Sequence, residues 1–155
     1  MLFSTGITDH VSKRDLDLYC HTLGVVTKAR AALEKHPHHK KLSFECHSIC
    51  RALAKVIPEL TLVDGHYLGL RIVNEEGEKR VQVGTATHSW FCTPDDSIID
   101  PYPVGYLTPS PVLVVNRGPY KPFGGDHYIP LASVTREISN RELFRKTQIL
   151  YSIIR

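Results

Sequence analysis

The sequence predicts an α+β domain with N-terminal helices packed on an antiparallel β-sheet. Three observations predict it. Two early segments repeat apolar residues at three- and four-residue steps. The middle of the chain switches to period two between short turns. The tail returns to helical spacing. The bulk composition agrees: 42% hydrophobic and 23% charged residues over 155 positions are ordinary for a globular chain. One domain, residues 1–155, is expected, and it is long enough to bury a core without disulfides.

The first helix is expected over 14–35, where Leu16, Tyr19, Cys20, Leu23, Val26, Ala29 and Leu33 form one apolar stripe. In this reading Cys20 is a small buried hydrophobe. HPHHKK, residues 36–41, ends the helix through its proline and like charges. A second helix is expected over 43–57, with Ile49, Cys50, Leu53, Ala54 and Val56 facing one way and Pro58 marking the stop. Strands are expected over 60–73 and 80–93, joined by a turn centred on Gly77. A third, IIDPYP, must stop at Pro101 and Pro103 or lie at an edge. Together these three make an antiparallel meander. Seven prolines between 101 and 130 predict loops, with a further strand at 112–116 and an ordered surface loop at GPYKPFGGD. The last helix runs through Leu143, Leu150 and Ile153, capped by Ser139 or Asn140 with Glu142 in its first turn.

The formal charge of +3 is too small to argue for a nucleic-acid partner. No apolar run approaches membrane-spanning length, and the first residues lack the apolar stretch of a secretory signal. Four cysteines without a CxxC pair do not make a disulfide scaffold. The expected setting is the reducing cytoplasm, with thiols free to react.

Three residues carry a catalytic reading. Cys46 stands at the start of the second helix, where the positive helix end favours thiolate and free backbone N–H groups can hold an oxyanion. His88 is the candidate base, in a strand whose alternation puts Trp90 on the same face. Asp100 lies past the turn. If the strands close around Thr93 to Ser97, His88 falls within about one residue of the position opposite Asp100, close enough for the carboxylate to orient the imidazole. Trp90 and His47 are candidate substrate contacts, and Ser43 and His47 are candidate oxyanion partners. His127, after a glycine pair, is a candidate substrate contact or a plain surface residue.

These segments resemble the transglutaminase-like superfamily of papain-type cysteine enzymes. ECHSICRALAKVIPELTLVDGHYLG matches the family's nucleophile helix and the strand after it. HSWFCTPDDSIIDPYP matches its His-x-Trp and Asp-Pro strands. The resemblance covers about residues 43–103. It implies a transglutaminase-like or papain-like core and a Cys46, His88, Asp100 triad. It also implies acyl transfer through a thioester with no cofactor, on a peptide, protein or small amide or ester substrate. Glu45 stands where the family has glycine, and is expected to face solvent. Members hydrolyse, transfer acyl groups to amines, or bind without catalysis; a thiol hydrolase (peptidase, amidase or deamidase) is expected here, with a transglutaminase or acyltransferase using an amine acceptor and a non-catalytic binding module as the alternatives.

Cys50 is the rival nucleophile, one turn deeper on the same face. Cys92 shares the His88 face and either lines the cleft or fills the core. Nine histidines invite a zinc reading through Cys46, His47, His66, His88 and His127, but no HExxH or CxxC spacing supports a metal site.

Overall fold

The computed structural model describes residues 11–36, 45–103, 110–114 and 127–155. Two N-terminal helices, α1 (Lys13–Glu34) and α2 (Cys46–Val56), precede a long hairpin of β1 (Thr61–Glu75) and β2 (Glu78–Cys92). Short strands β3 (Ile98–Asp100), β4 (Val112–Val114) and β5 (Tyr128–Pro130) follow. Helices α3 (Ala132–Ile138) and α4 (Arg141–Ile154) complete the chain. Among the described residues, five strands lie in the order β4-β3-β2-β1-β5, and each pairing there is antiparallel. The fold is α+β. Among the described residues, no helix is long and apolar enough to cross a membrane.

Local chemistry explains the element ends. Ser12 caps α1 by accepting from the Asp15 amide at 3.1 Å, and Asn140 caps α4 by accepting from the Leu143 amide at 2.8 Å. The β1–β2 hairpin closes through Glu76 (φ 52°) and Gly77 (φ +81°). Two consecutive left-handed residues are what a two-residue type I′ hairpin requires. Strand β3 stops at Asp100, before Pro101 and Pro103. It lies inside the sheet, between β2 and β4.

One sheet face meets the helices. Leu62, Phe91, Ile99 and Leu113 form a continuous cross-strand row over β1 to β4. Against this row pack Val26, Ala29 and Leu33 from α1, Ile49, Ala52 and Leu53 from α2, and Leu150 from α4. The alternation that turns Phe91 toward the helices turns His88, Trp90 and Asp100 the other way. Tyr19 ties α1 to the sheet's far edge by donating to the Pro111 carbonyl at 2.9 Å.

Three expectations are corrected. Cys20 is exposed: the buried stripe of α1 runs Leu18, Tyr19, Thr22, Val26, Ala29 and Leu33, and Cys20 lies a step of about 100° off it. The proline-rich stretch, read as loop with one strand, also holds β5. α3 follows immediately, outside any expected element. A three-residue strand shows no sequence period, and it exists only because β1 offers it an edge through Tyr67↔Tyr128 and Gly65↔Pro130. Most of HPHHKK, all of GPYKPFGGD, and Ser43 lie outside the described residues.

Candidate active site

Cys46 is the first residue of α2 and is buried. The N-cap residue, Glu45, is extended and makes no side-chain capping bond, so the first-turn amides are not consumed by a cap. The Glu45 carboxylate is half-exposed and held at 3.5 Å by Lys146 of α4, an ion pair that offsets its charge near the thiol. Burial opposes ionisation of the Cys46 thiol. Hydrogen bonding to His47 and His88, with their charge, outweighs it and brings the pKa down to about 7.

His88 is fully buried in β2. Its Nε2 lies 2.6 Å from Asp100 Oδ2. Burial pulls the imidazole toward neutrality. The charge and hydrogen bond of Asp100, and then the interaction with Cys46, outweigh it and raise the pKa to about 10. Among the described residues, Nδ1 has no hydrogen-bond partner. The two shifts run in the directions that favour thiolate and imidazolium together.

The carboxylate of Asp100 is itself fixed. It accepts from the Tyr128 hydroxyl at 2.8 Å and from the Tyr102 amide at 3.1 Å. The turn closes through Thr93 and Ser97 as the sequence suggested, with the Thr93 amide donating to the Ser97 carbonyl at 2.9 Å. The register Phe91↔Ile99, continued by one step, sets Asp100 opposite Trp90 rather than beside the position facing His88. The His88–Asp100 bond is thus a diagonal one, two residues off the direct pair, reached because both side chains point to one face. Aromatic rings enclose the imidazole: Trp90 stacks at 6.0 Å between centroids, and Tyr67 meets it edge-on at 5.9 Å.

Cys50 sits at the same depth as the core and donates to the Ser89 carbonyl at 3.3 Å. Burial first, and then the nearby Asp100 carboxylate, raise its pKa well above the ordinary thiol value. Of the two cysteines on α2, only Cys46 has surroundings that favour thiolate. Cys92 is half-buried, and burial raises its pKa as well.

His47 points to a second polar cluster. Its Nδ1 lies 2.7 Å from Ser89 Oγ, and Ser89 donates to Asp64 Oδ1 at 2.5 Å. Arg51 grips Asp64 in two-pronged fashion at 3.2 and 2.7 Å, and Thr135 adds a donor at 2.8 Å. Burial works against the Asp64 charge, but bonds from Arg51, Ser89 and Thr135 hold its pKa low. His127 bonds the Leu68 carbonyl and tilts against Tyr67, 5.8 Å away. Among the described residues, no three His, Cys, Asp or Glu side chains converge as metal ligands.

The structure brings together Cys46, His88, Asp100, Trp90 and His47, each singled out from sequence. Sequence reasoning passed over Tyr128, Asp64 and Ser89. Tyr128 acquires its role from β5 pairing, which no local pattern announces. Asp64 and Ser89 did leave a signal: they are polar residues in the same strand alternation as Leu62 and Phe91, on the face that meets the helices. Compared with known proteins, the chain matches no family model, no curated protein and no solved structure.

Proposed function

We propose that the chain is a transglutaminase-like cysteine enzyme that transfers acyl groups through Cys46, most plainly as a hydrolase of peptide or amide bonds. The observation that carries this reading is the line Cys46, His88, Asp100: a thiol at a helix start with a pKa near 7, beside an imidazole whose far nitrogen is 2.6 Å from a buried carboxylate. The Cys46 thiolate attacks the carbonyl carbon. The α2 first-turn amides stabilise the oxyanion that forms. The His88 imidazolium protonates the departing amine, and neutral His88 then takes a proton from water as it attacks the thioester. An amine in place of water would make the same site a transferase. Asp100 holds the ring and its charge throughout. The chemistry needs no cofactor. Its proposed setting is the cytoplasm, where thiols stay reduced, in keeping with four cysteines that form no disulfide.

Alkylation by iodoacetamide across pH, followed by intact mass and peptide mapping, tests the reading. One thiol, Cys46, should react fast, with a rate that rises to a plateau around a midpoint near pH 7. A Cys46 that reacts no faster than a free thiol, at a midpoint near the ordinary thiol value, would sink it.

A further inference from the structure

We propose that Tyr128 is a positioning residue of the site: its hydroxyl shares the Asp100 oxygen that holds His88, and so tempers how tightly the imidazole keeps its proton. The inference rests on the reading of His88 as the acid and base of Cys46 chemistry, and it adds the group that sets the strength of that acid.

Asp100 is fully buried, and among the described residues it accepts from three donors. The Tyr102 amide reaches Oδ1 at 3.1 Å. The other two, His88 Nε2 at 2.6 Å and the Tyr128 hydroxyl at 2.8 Å, both fall on Oδ2. A hydroxyl that served only to satisfy a buried carboxylate would do as well at Oδ1, where one longer bond leaves a lone pair open. On Oδ2 it competes. Two donors on one anionic oxygen draw on the same charge, so what Tyr128 takes is withdrawn from His88.

The hydroxyl is held on that oxygen from outside the pair. Tyr128 is buried, and its ring meets Trp90 and Tyr67 edge-on, each at 5.2 Å between centroids, and lies 6.2 Å from the His88 ring. Strand β5, which carries it, is locked to β1 through Tyr67↔Tyr128 and Gly65↔Pro130.

The consequence falls on His88. With Nε2 committed to Asp100, Nδ1 is the nitrogen left for the reaction. Burial favours the neutral ring, but the charge and bond of Asp100 outweigh it and hold the ring's charge up to about pH 10. An imidazolium held so firmly is a reluctant acid near neutral pH, and a donor that draws off part of the Asp100 charge eases proton release to a departing amine. The same donor stabilises carboxylate over carboxyl, which keeps the proton of the short His88–Asp100 bond on nitrogen. The titratable groups that face the ring are Cys46 on α2, Tyr67 on β1, Asp100 on β3 and Tyr128 on β5, with Cys50 of α2 near Asp100 and His127 beyond Tyr67.

Nitrogen-15 and proton NMR of the His88 ring in the full chain reads the effect, through the ring's titration midpoint and the low-field Nε2 proton. Tyr128→Phe keeps the ring and deletes only the hydroxyl. The midpoint should rise from about 10 by roughly half a unit to one unit, and the Nε2 proton should move further downfield as its bond to Oδ2 strengthens. Placing 3-fluorotyrosine at position 128 makes the hydroxyl a stronger donor and should move both readings the opposite way. Hydrogen exchange at the β5 amides checks that the strand stays docked; if it opens in Tyr128→Phe, the fluorinated protein alone decides. A residue that merely packs would not move the two readings in opposite directions. Readings unmoved in both variants, while Cys46 stays fast toward iodoacetamide, overturn this inference alone. So does a midpoint that falls in Tyr128→Phe with β5 docked, which would make the hydroxyl a prop holding the carboxylate against the ring. A wild-type Cys46 no faster than a free thiol overturns the parent reading, and the inference with it.

Discussion

The three residues of the proposed triad differ in what sets their state, and Asp100 acts on the other two. Its carboxylate keeps His88 charged, and His88 in turn helps lower the thiol. Asp100→Asn keeps the size and can still meet the Tyr128 hydroxyl, but it removes the charge. The Cys46 midpoint should then climb from about 7 toward the free-thiol value, and alkylation near pH 8 should fall about tenfold with the thiolate fraction. A midpoint that stays put in Asp100→Asn would mean that Asp100 is not what charges His88. At this scale the sequence was informative about types and poor about partners. Cys46, His88 and Asp100 stood out as candidates because each proposed role needs that residue type. The choice between Cys46 and Cys50 was not, because it turns on one helical turn of depth and on the Ser89 carbonyl.

Between elements, the sharpest constraint lies where β5 meets β1. A Cβ added at Gly65 would stand 2.1 Å from the Ile129 carbonyl oxygen and 2.7 Å from the Trp90 ring. The first neighbour is backbone and cannot swing away, so Gly65→Ala must push β5 off β1. The expected cost is about 1–3 kcal/mol in urea unfolding. Hydrogen exchange should quicken at the β5 amides, because the strand that carries Tyr128 is the one displaced. A variant within about 0.5 kcal/mol of wild type, with β5 still protected, would contradict this packing. Helices α1, α2 and α4 and the hairpin were legible because each repeats its pattern over ten or more residues. Strand β5 and helix α3 were not, since three residues cannot display a period and their placement depends on an edge built some sixty residues earlier.

Across the whole molecule, the opposed pKa shifts of Cys46 and His88 couple stability to pH. Cys46 has a folded pKa below its free value, so its contribution is present above that value and lost as pH falls through about 7. His88 has a folded pKa above its free value, so its contribution is full below about 6.5 and lost as pH rises through about 10. The stability advantage of wild type over Cys46→Ser should therefore grow from about pH 7 toward pH 9 and shrink again above about pH 10. Two pKa steps on a mostly buried thiol correspond to an advantage on the order of 2 kcal/mol. Urea unfolding of both proteins at a series of pH values measures it, and a difference that is flat with pH would contradict the linkage.

The hydroxyl of Tyr128 reaches back to Asp100, and Thr135 reaches back to Asp64. Asp100 and Asp64 are thus secured by residues that leave the ribosome more than eighty positions after Cys46. A chain still being synthesised carries its cysteine long before it carries the groups that sharpen it. The thiol would stay an ordinary one while the nascent chain is crowded against other proteins, and its reactivity would arrive only once β5 and α3 have been made. Timing of this kind needs no inhibitor and no propeptide, because it is written into the order in which the strands and helices are made.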